Sequence, residues 1–366
     1  MSLRCDALIV GGGPAGLAAA IALRRKGLDV LVADALHPPI DKACGEGLMP
    51  DARRDLAALG VPAHEGVPFD GIAFFSGSRQ VAARFEGGSG IGIRRLRLHS
   101  LLEQRCRELG VRLSWGSHVR LAQDQPPRLN GEMCICRYAI GADGQSSRMR
   151  SAIGLGQGRI LTRRYGARSH FRVRPWSQMV EVHWGDRGQA YITPVGEEEV
   201  CVATVSRVPE SRIDEVLQSL PRLKARLAGA AGLSARKGAL TTNRILRRVT
   251  DKNVALIGDA SGSVDAVTGE GLGLSFRQAL LLADAIAAGD LEIYEAGHAL
   301  MGRIPHLMSN VMLRMDAWPW LRERTMRVLS AEPGLFARLL ALHIGQRSLG
   351  NFLLRDAPRL SLGLLT

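Results

Sequence analysis

The sequence has few of the features that mark membrane-spanning, disulfide-bonded or metal-binding proteins. Aromatic residues make up only 5% of the 366 residues. No apolar run is as long as a membrane-spanning helix, which needs about eighteen residues. Six cysteines are scattered, and the one close pair, Cys134 and Cys136, has a spacing that matches no usual zinc or redox pair. Nine histidines also lack ligand spacing, so we expect reduced thiols, no metal, and histidines in surface or packing roles.

Acidic residues are also scarce. Against 35 Asp and Glu stand 48 Lys and Arg, mostly arginine, which gives a formal charge of +13. This balance suits anionic ligands, an acidic carrier protein or an anionic membrane surface. The basic residues show no aromatic-rich or zinc-finger pattern, so we expect no nucleic-acid partner. The N-terminal apolar stretch lacks the core of a signal peptide, which predicts a cytoplasmic protein, with peripheral membrane contact as a variant of that localisation.

The length predicts two interleaved domains, because one hydrophobic core rarely grows beyond about 300 residues. Buried-strand patterns and helices in residues 1–75, 90–155 and 245–295 predict a discontinuous dinucleotide-binding α/β domain. Alternating stretches such as those at 179–183, 190–193 and 200–205 predict an antiparallel-sheet substrate domain built from residues 76–89 and 156–244. Residues 296–366 are expected to form a helical tail, for which packing with a solvated basic face is favoured over membrane contact. The oligomeric state stays open.

The strongest motif is a glycine-rich turn between a short strand and an alanine-rich helix. Gly11, Gly13 and Gly16, with Pro14 and Ala15 between the last two, fit the pattern G-x-G-x-x-G. Such glycines permit a tight turn, close approach to a pyrophosphate and close helix packing, and the helix N-terminus favours the phosphate. Asp34 ends the following strand, where its carboxylate would accept hydrogen bonds from a ribose hydroxyl. The turn alone fits either NAD or FAD.

Two later segments distinguish FAD from NAD, because they resemble motifs of a known protein family. Gly141–Gly144 with Arg148, and Leu256–Ala260, resemble the further fingerprints of the para-hydroxybenzoate hydroxylase fold, a flavoprotein superfamily that includes aromatic hydroxylases and geranylgeranyl reductases. The resemblance spans roughly residues 5–290 and implies FAD as the cofactor. It also implies roles for single residues: Gly258 and Asp259 at the ribityl chain, Arg95 at the phosphates and Asp143 near the pyrophosphate. Read alone, either aspartate could equally cap a turn.

Two more segments are expected at the flavin ring. Gly269, Gly271 and Leu272 lie where the last helix of the cofactor domain opens, and its dipole would stabilise negative charge on reduced flavin. The stretch Lys42–Leu48 is similar to the Cys-Gly-Glu-Gly segment of geranylgeranyl-reductase-like flavoproteins, which implies that Cys44 and Gly45 lie close to the ring. Cys44 is therefore the candidate catalytic residue, because a cysteine next to a lysine and a glycine turn can have a lowered pKa. Most lone cysteines are inert, so a position close to the ring without a chemical role is the alternative.

The resemblance leaves three functions open. The favoured one is monooxygenation of an aromatic, polyketide or lipid-like substrate through a flavin C4a-hydroperoxide, because Ala190–Pro194 lacks the tryptophan of the prenyl-reductase motif. The alternative is a reductase that saturates isoprenoid double bonds, with Cys44 as proton donor. The third is a non-catalytic flavin-binding scaffold. No second G-x-G-x-x-G unit follows a strand, so NAD(P)H is expected only as a transient electron donor.

Overall fold

Two large sheets and a set of C-terminal helices make up the structure, a computed structural model that describes residues 3–62, 64–122, 125–209 and 212–358. The strands are β1 (Leu3–Val10), β2 (Val30–Asp34), β3 (Gly47–Leu48), β4 (Val67–Phe69), β5 (Gly71–Ser76), β6 (Arg79–Arg84), β7 (Gly90–Gly92), β8 (Arg112–Trp115), β9 (Val119–Arg120), β10 (Arg128–Leu129), β11 (Glu132–Gly141), β12 (Gly158–Arg172), β13 (Met179–Gly185), β14 (Gly188–Gly196), β15 (Glu199–Ser206), β16 (Ala231–Gly232), β17 (Lys237–Leu246), β18 (Thr250–Asp251) and β19 (Val254–Leu256). The α-helices are α1 (Pro14–Arg25), α2 (Pro50–Ala58), α3 (Arg95–Glu108), α4 (Arg148–Ala152), α5 (Ile213–Gln218), α6 (Pro221–Arg226), α7 (Gly271–Ala288), α8 (Leu291–Ala317), α9 (Pro319–Ala331), α10 (Pro333–His343) and α11 (Leu349–Arg355).

The first sheet is the predicted cofactor sheet. Its order is β18-β19-β11-β1-β2-β8, and every pair from β19 to β8 is parallel. The apolar residues of β1, β2 and β11 are buried against α1, α3 and α7, in a core that also takes in α2. Because parallel strands end at the same edge, the loops after β1, β2, β11 and β19 meet there. The discontinuous α/β domain expected from the sequence is therefore formed.

The second sheet has the order β16-β12-β15-β14-β13-β5-β6, and β17 also pairs with β12. All its pairs are antiparallel except β5 with β13. One face packs against α5 and α6, whereas the other packs against the C-terminal helices. A small sheet of β3, β7 and β4 lies beside β14.

Two predicted boundaries differ from the structure. The second sheet already includes β5, which starts at Gly71, so the excursion from the cofactor domain begins before residue 76. The C-terminal helices begin at Leu291 rather than 296, and α9 and α10 pack on β6. Residues 359–366 of the predicted tail lie outside the described residues. The second sheet starts early because β5 pairs with the distant strand β13, and the local sequence pattern of β5 does not reveal this pairing.

One helix in the described part of the chain, α7, has the length and hydropathy to cross a membrane. Half of its residues are buried, and it packs against α1, α2 and α8. These contacts are those of a core helix.

Candidate functional site

The glycine turn has the backbone geometry that its motif predicts. A Cβ atom on Gly11, whose φ is +112°, would lie 2.4 Å from the carbonyl oxygen of Ala142. A Cβ atom on Gly16 would lie 1.9 Å from the carbonyl oxygen of Gly11. Gly13 differs, since its Cβ position faces open space. The first and third glycines thus permit close packing, and the second leaves a cradle at the N-terminus of α1 that an added side chain would fill.

Two side chains brace this turn. Asp34 accepts hydrogen bonds from the backbone N–H groups of Gly12 at 2.7 Å and Leu36 at 2.8 Å. His99 lies buried beneath the turn, with Nε2 2.9 Å from the Gly12 carbonyl oxygen. Burial lowers the pKa of His99, so the ring is neutral at pH 7 and Nε2–H donates to that carbonyl. Asp34 also lines the cavity described below, as a ribose contact would require.

Arg95 opens α3 close to the same cradle. It is buried, and its backbone N–H donates to Oε1 of Glu46 at 2.9 Å. The guanidinium Nε has no hydrogen-bond partner among the described residues, and the side chain lines the cavity. A buried guanidinium N–H without a partner is costly unless an acceptor such as a phosphate oxygen approaches it. This position fits the phosphate role that the resemblance implies.

Asp143 and Asp259 each contact other protein groups as well as facing the cavity. Oδ2 of Asp143 accepts from the N–H groups of Arg148 at 2.7 Å and Met149 at 3.1 Å, which caps α4, while Oδ1 is buried without a partner in the described chain. Asp259 pairs with Lys42 at 3.2 Å and is about one third exposed. The turn-capping alternative therefore holds for one oxygen of Asp143, and the other is free for a ligand.

The loop with Cys44 lies between the two sheets. Thr193 of β14 donates a hydrogen bond to the carbonyl oxygen of Gly45 at 2.7 Å, and Cys44 lines the cavity. Burial raises the pKa of the Cys44 thiol, although Arg95 opposes the shift. The lowered pKa that a neighbouring lysine can produce is not found here, because Lys42 pairs with Asp259 and burial dominates. Cys44 is thus a protonated thiol at neutral pH, suited to donate a proton rather than to attack as a thiolate.

Glu46, two residues later, holds this loop in place and was missed by the sequence analysis. Its backbone has a φ of 60°, a left-handed conformation rare for residues other than glycine. Oε2 lies 2.6 Å from Nε2 of His170, and both side chains are buried. Arg168, also buried, lies 3.8 Å from Glu46 and pairs with Asp41. The expectation that histidines are surface or packing residues is therefore wrong for His170.

Cys201 completes this cluster. Its thiol, with the ring of His170 and the carboxylate of Glu46, forms a group close enough to share a metal ion. The neighbouring Arg168 already supplies a positive charge, which opposes the binding of a further cation. The geometry is that of a buried ion-pair network.

Asp265 anchors the loop that precedes α7. The guanidinium of Arg164, from β12, pairs with both carboxylate oxygens, with Nε 3.1 Å from Oδ2. Both side chains are almost wholly buried. Oδ1 also accepts from the N–H of Val267 at 3.0 Å. An ion pair to the second sheet therefore fixes the loop.

The glycines that follow face the cavity. Gly269 has a φ of +70°, and added Cβ atoms on Gly269 or Gly271 would meet open space. The neighbouring Glu270 is buried, and its Oε2 has no hydrogen-bond partner within the described residues. This oxygen lies 3.6 Å from Nδ1 of His343, which is too far for a hydrogen bond. Burial raises the pKa of Glu270 to about 7, although His343 opposes the shift. A buried group that titrates near neutrality thus lies beside the predicted flavin loop.

One cavity of about 1210 Å³ connects these features. Most of the predicted site residues line it: Gly11, Gly13, Pro14, Ala15, Asp34, Cys44, Gly45, Arg95, Asp143, Asp259, Gly269, Gly271 and Leu272. Gly16 and Gly258 do not. Gly16 packs under the turn, and Gly258, with a φ of +61°, donates its N–H to Gln278 at 2.8 Å. These two glycines shape the backbone instead of lining the site.

The far end of the cavity is apolar. It is lined by the second sheet and the C-terminal helices, through residues such as Phe74, Val182, Tyr191, Met312 and Phe336. From these elements no Asp, Glu, Lys or Arg of the described residues lines the cavity. An apolar molecule could therefore lie there without desolvating a charge.

FAD fits the polar end. The cradle at Gly13 and the helix N-terminus suit a pyrophosphate, the unpartnered Nε of Arg95 offers it a donor, and the carboxylates of Asp34 and Asp259 suit hydroxyl groups. Bound there, FAD would supply hydride or electron transfer. These features define a flavin-dependent oxidoreductase.

The comparisons with known proteins agree. The chain belongs to the FAD binding domain family, which matches residues 4–291. The menaquinone reductase of Mycolicibacterium smegmatis is 27% identical over 337 residues, covering 81% of this chain and 80% of that protein. The geranylgeranyl diphosphate reductase of Synechocystis sp. is 26% identical over 314 residues, covering 76% and 74%. Monooxygenases also occur among the relatives, so the family alone does not decide the reaction.

A solved structure shows the same fold. The flavoprotein/dehydrogenase from Cytophaga hutchinsonii superposes with a TM-score of 0.82 at 16% identity, covering 99% of this chain and 98% of that one. At this identity the likeness concerns the fold alone. The predicted FAD, fold class and flavoprotein superfamily are thus confirmed.

Proposed function

We propose that this protein uses FAD to reduce a carbon–carbon double bond of a long apolar substrate, such as the prenyl chain of an isoprenoid quinone. The observation that carries the proposal is the position of Cys44, whose thiol is kept protonated by burial and lines the cavity that joins the FAD cradle to the apolar end. Saturation of a double bond needs one hydride and one proton. Reduced FAD would supply the hydride, and the Cys44 thiol the proton.

The chain's own residues would place this proton. Thr193 and His170 fix the loop directly after Cys44, through the Gly45 carbonyl oxygen and the Glu46 carboxylate. The apolar walls exclude water, which would otherwise compete as proton source. Menaquinone reductases among the relatives favour the same class of substrate. This choice reverses the preference for monooxygenation, because a protonated thiol has no evident use in oxygen transfer. NAD(P)H stays the proposed transient electron donor.

The test is anaerobic turnover of the purified flavoprotein with dithionite or NADPH and a prenylated menaquinone. A product heavier by two hydrogen atoms per saturated bond is expected. A product that gains one oxygen atom, formed only in air with NAD(P)H, would instead establish hydroxylation.

The Cys44→Ala variant tests the proton donor. Loss of a general acid lowers turnover by about 10²–10⁴-fold, and flavin content should not change. The matched control is Cys136→Ser, a half-buried cysteine that does not line the cavity. Equal turnover of Cys44→Ala and the parent protein would remove Cys44 from the chemistry.

A further inference from the structure

The mouth of the apolar cavity lies on an exposed apolar surface. Leu240, Leu307, Val311 and Leu353 line the substrate end and are also exposed, between 39% and 54%. The interior of the cavity is thus continuous with apolar side chains in contact with solvent.

Helix α8 extends this surface along one side. Its exposed residues Ile293, Leu300 and Leu307 are seven positions apart, and Val311 follows four later, so they share one face of the helix. Trp318 and Trp320 follow α8, stack with ring centroids 6.2 Å apart, and are about half exposed. We call these residues, together with Leu353 and Leu354 of α11, the apolar face.

The surroundings of the apolar face are cationic. Residues 291–366 contain nine arginines and six acidic residues. Of these acids, Glu292 pairs with Arg248, and Glu295 accepts hydrogen bonds from Val249 and Thr250. Two others are buried in ion pairs, Asp316 with Arg164 and Arg207, and Asp356 with Arg338. Arg303 and Arg314, exposed on α8, take part in none of the ion pairs among the described residues. Their charge is therefore available to an anionic partner.

Charge decides between two kinds of partner. In a symmetric pair of copies the same surface meets itself, so these arginines would approach one another, which costs binding energy. An anionic bilayer instead attracts arginines, accepts tryptophan at its interface and buries the aliphatic side chains.

We propose that the apolar face docks on an anionic lipid bilayer and that the cavity takes its substrate directly from the membrane through the mouth at Leu307 and Leu353. The second part rests on the proposed function, because it assumes an apolar substrate. The first part does not, since docking needs only the exposed side chains and their charge.

Docking is tested by co-sedimentation of the flavin-loaded protein with vesicles of phosphatidylcholine, with and without phosphatidylglycerol. Binding to the anionic vesicles is expected, and it should weaken as salt is added. Arg303→Glu/Arg314→Glu should lower this affinity at least 25-fold, because each arginine at an anionic surface contributes about fivefold. Leu300→Glu should weaken binding by removing one apolar contact and adding a negative charge.

The control for charge is Arg222→Glu/Lys224→Glu on α6, which makes the same charge change on the helix layer that covers the opposite face of the second sheet. The control for Leu300→Glu is Val208→Glu, an equally exposed site away from the apolar face. Both should bind vesicles like the parent protein. Equal loss in the controls, or no binding of the parent, would overturn the docking proposal.

Two further measurements separate the alternatives. If Leu300→Glu changes the mass of the lipid-free protein in solution, the apolar face joins two copies and the proposal fails. Turnover of detergent-dissolved substrate should be unchanged in Leu300→Glu, whereas turnover of vesicle-embedded substrate should fall with binding. Vesicle binding without any reductase product would leave docking intact and refute the proposed function alone.

Discussion

Removal of the Arg164 guanidinium should destabilise the protein more than the loss of any exposed ion pair would. Its guanidinium pairs with both oxygens of Asp265 and also lies 3.3 Å from Asp316, and all three side chains are buried. Arg164→Met keeps much of the side-chain volume but leaves the buried Asp265 carboxylate without a counter-charge. Asp316 keeps its pair with Arg207 at 2.8 Å.

The expected loss is about 3–5 kcal/mol in the free energy of unfolding, the usual result of leaving one member of a buried pair unpaired. Arg164→Met/Asp265→Asn should recover part of this loss, because the amide oxygen can still accept from Val267 and carries no charge. The coupling between the two substitutions should therefore reach about 1–3 kcal/mol. As a control, Arg248→Met breaks an exposed pair with Glu292 and should cost less than about 1 kcal/mol.

Urea denaturation of the flavin-free variants measures these energies, and flavin titration reports on the loop. FAD should bind more weakly to Arg164→Met, because the loop from Asp265 to Gly269 loses its anchor on β12. If the double variant is destabilised by the sum of the single effects, the pair is not coupled and the proposed anchoring is refuted.

Three further predictions concern the cofactor site. Gly13→Val should abolish FAD binding by filling the cradle, whereas Gly156→Val, exposed and with equal space, should bind normally; equal flavin content of both purified proteins would contradict this. Asp259→Ala should weaken FAD binding by about 1.5–3 kcal/mol per lost hydrogen bond, seen as a higher dissociation constant in flavin titration. Burial raises the pKa of Glu270 from 4.5 to about 7, so the folded protein binds the proton more tightly and loses stability as the pH rises between these values. Glu270→Gln should therefore be more stable than the parent above pH 7, by about 3 kcal/mol, and this advantage should shrink towards pH 5; a thermal-unfolding difference that is equal at pH 5 and pH 8 would exclude it.

The cofactor end could be predicted from the sequence because its signals are local. Glycines at 11, 13 and 16 act through backbone geometry within one turn, and Asp34 ends the adjacent strand. The buried ion pairs could not be predicted in this way. Glu46 and His170 are 124 positions apart, and Arg164 and Asp265 are 101 apart, so no local pattern connects them.

The pKa of Cys44 shows the same limit. Sequence proximity suggested that Lys42 would favour the thiolate, yet the lysine reaches Asp259, which is 217 positions away. Burial in the folded chain raises the thiol pKa, and the guanidinium that opposes this shift belongs to Arg95, which is 51 positions away in the sequence. Local charge is a poor guide to pKa wherever the fold decides which neighbour a side chain meets.

Strand β12 explains how one cofactor site could serve different apolar substrates. Its even-numbered residues Arg164, Arg168 and His170 share one face of the strand and hold both flavin-facing loops, through Asp265 and Glu46. Odd-numbered Ala167 and Phe171 pack towards α5 and α6. Most of the apolar lining comes from other strands and from the C-terminal helices. These elements contact the ion pairs at Gln189, Cys201 and Asp316. Changes at Met312 or Phe336 should therefore alter substrate preference at constant FAD affinity, whereas changes in the β12 row should alter FAD affinity for every substrate.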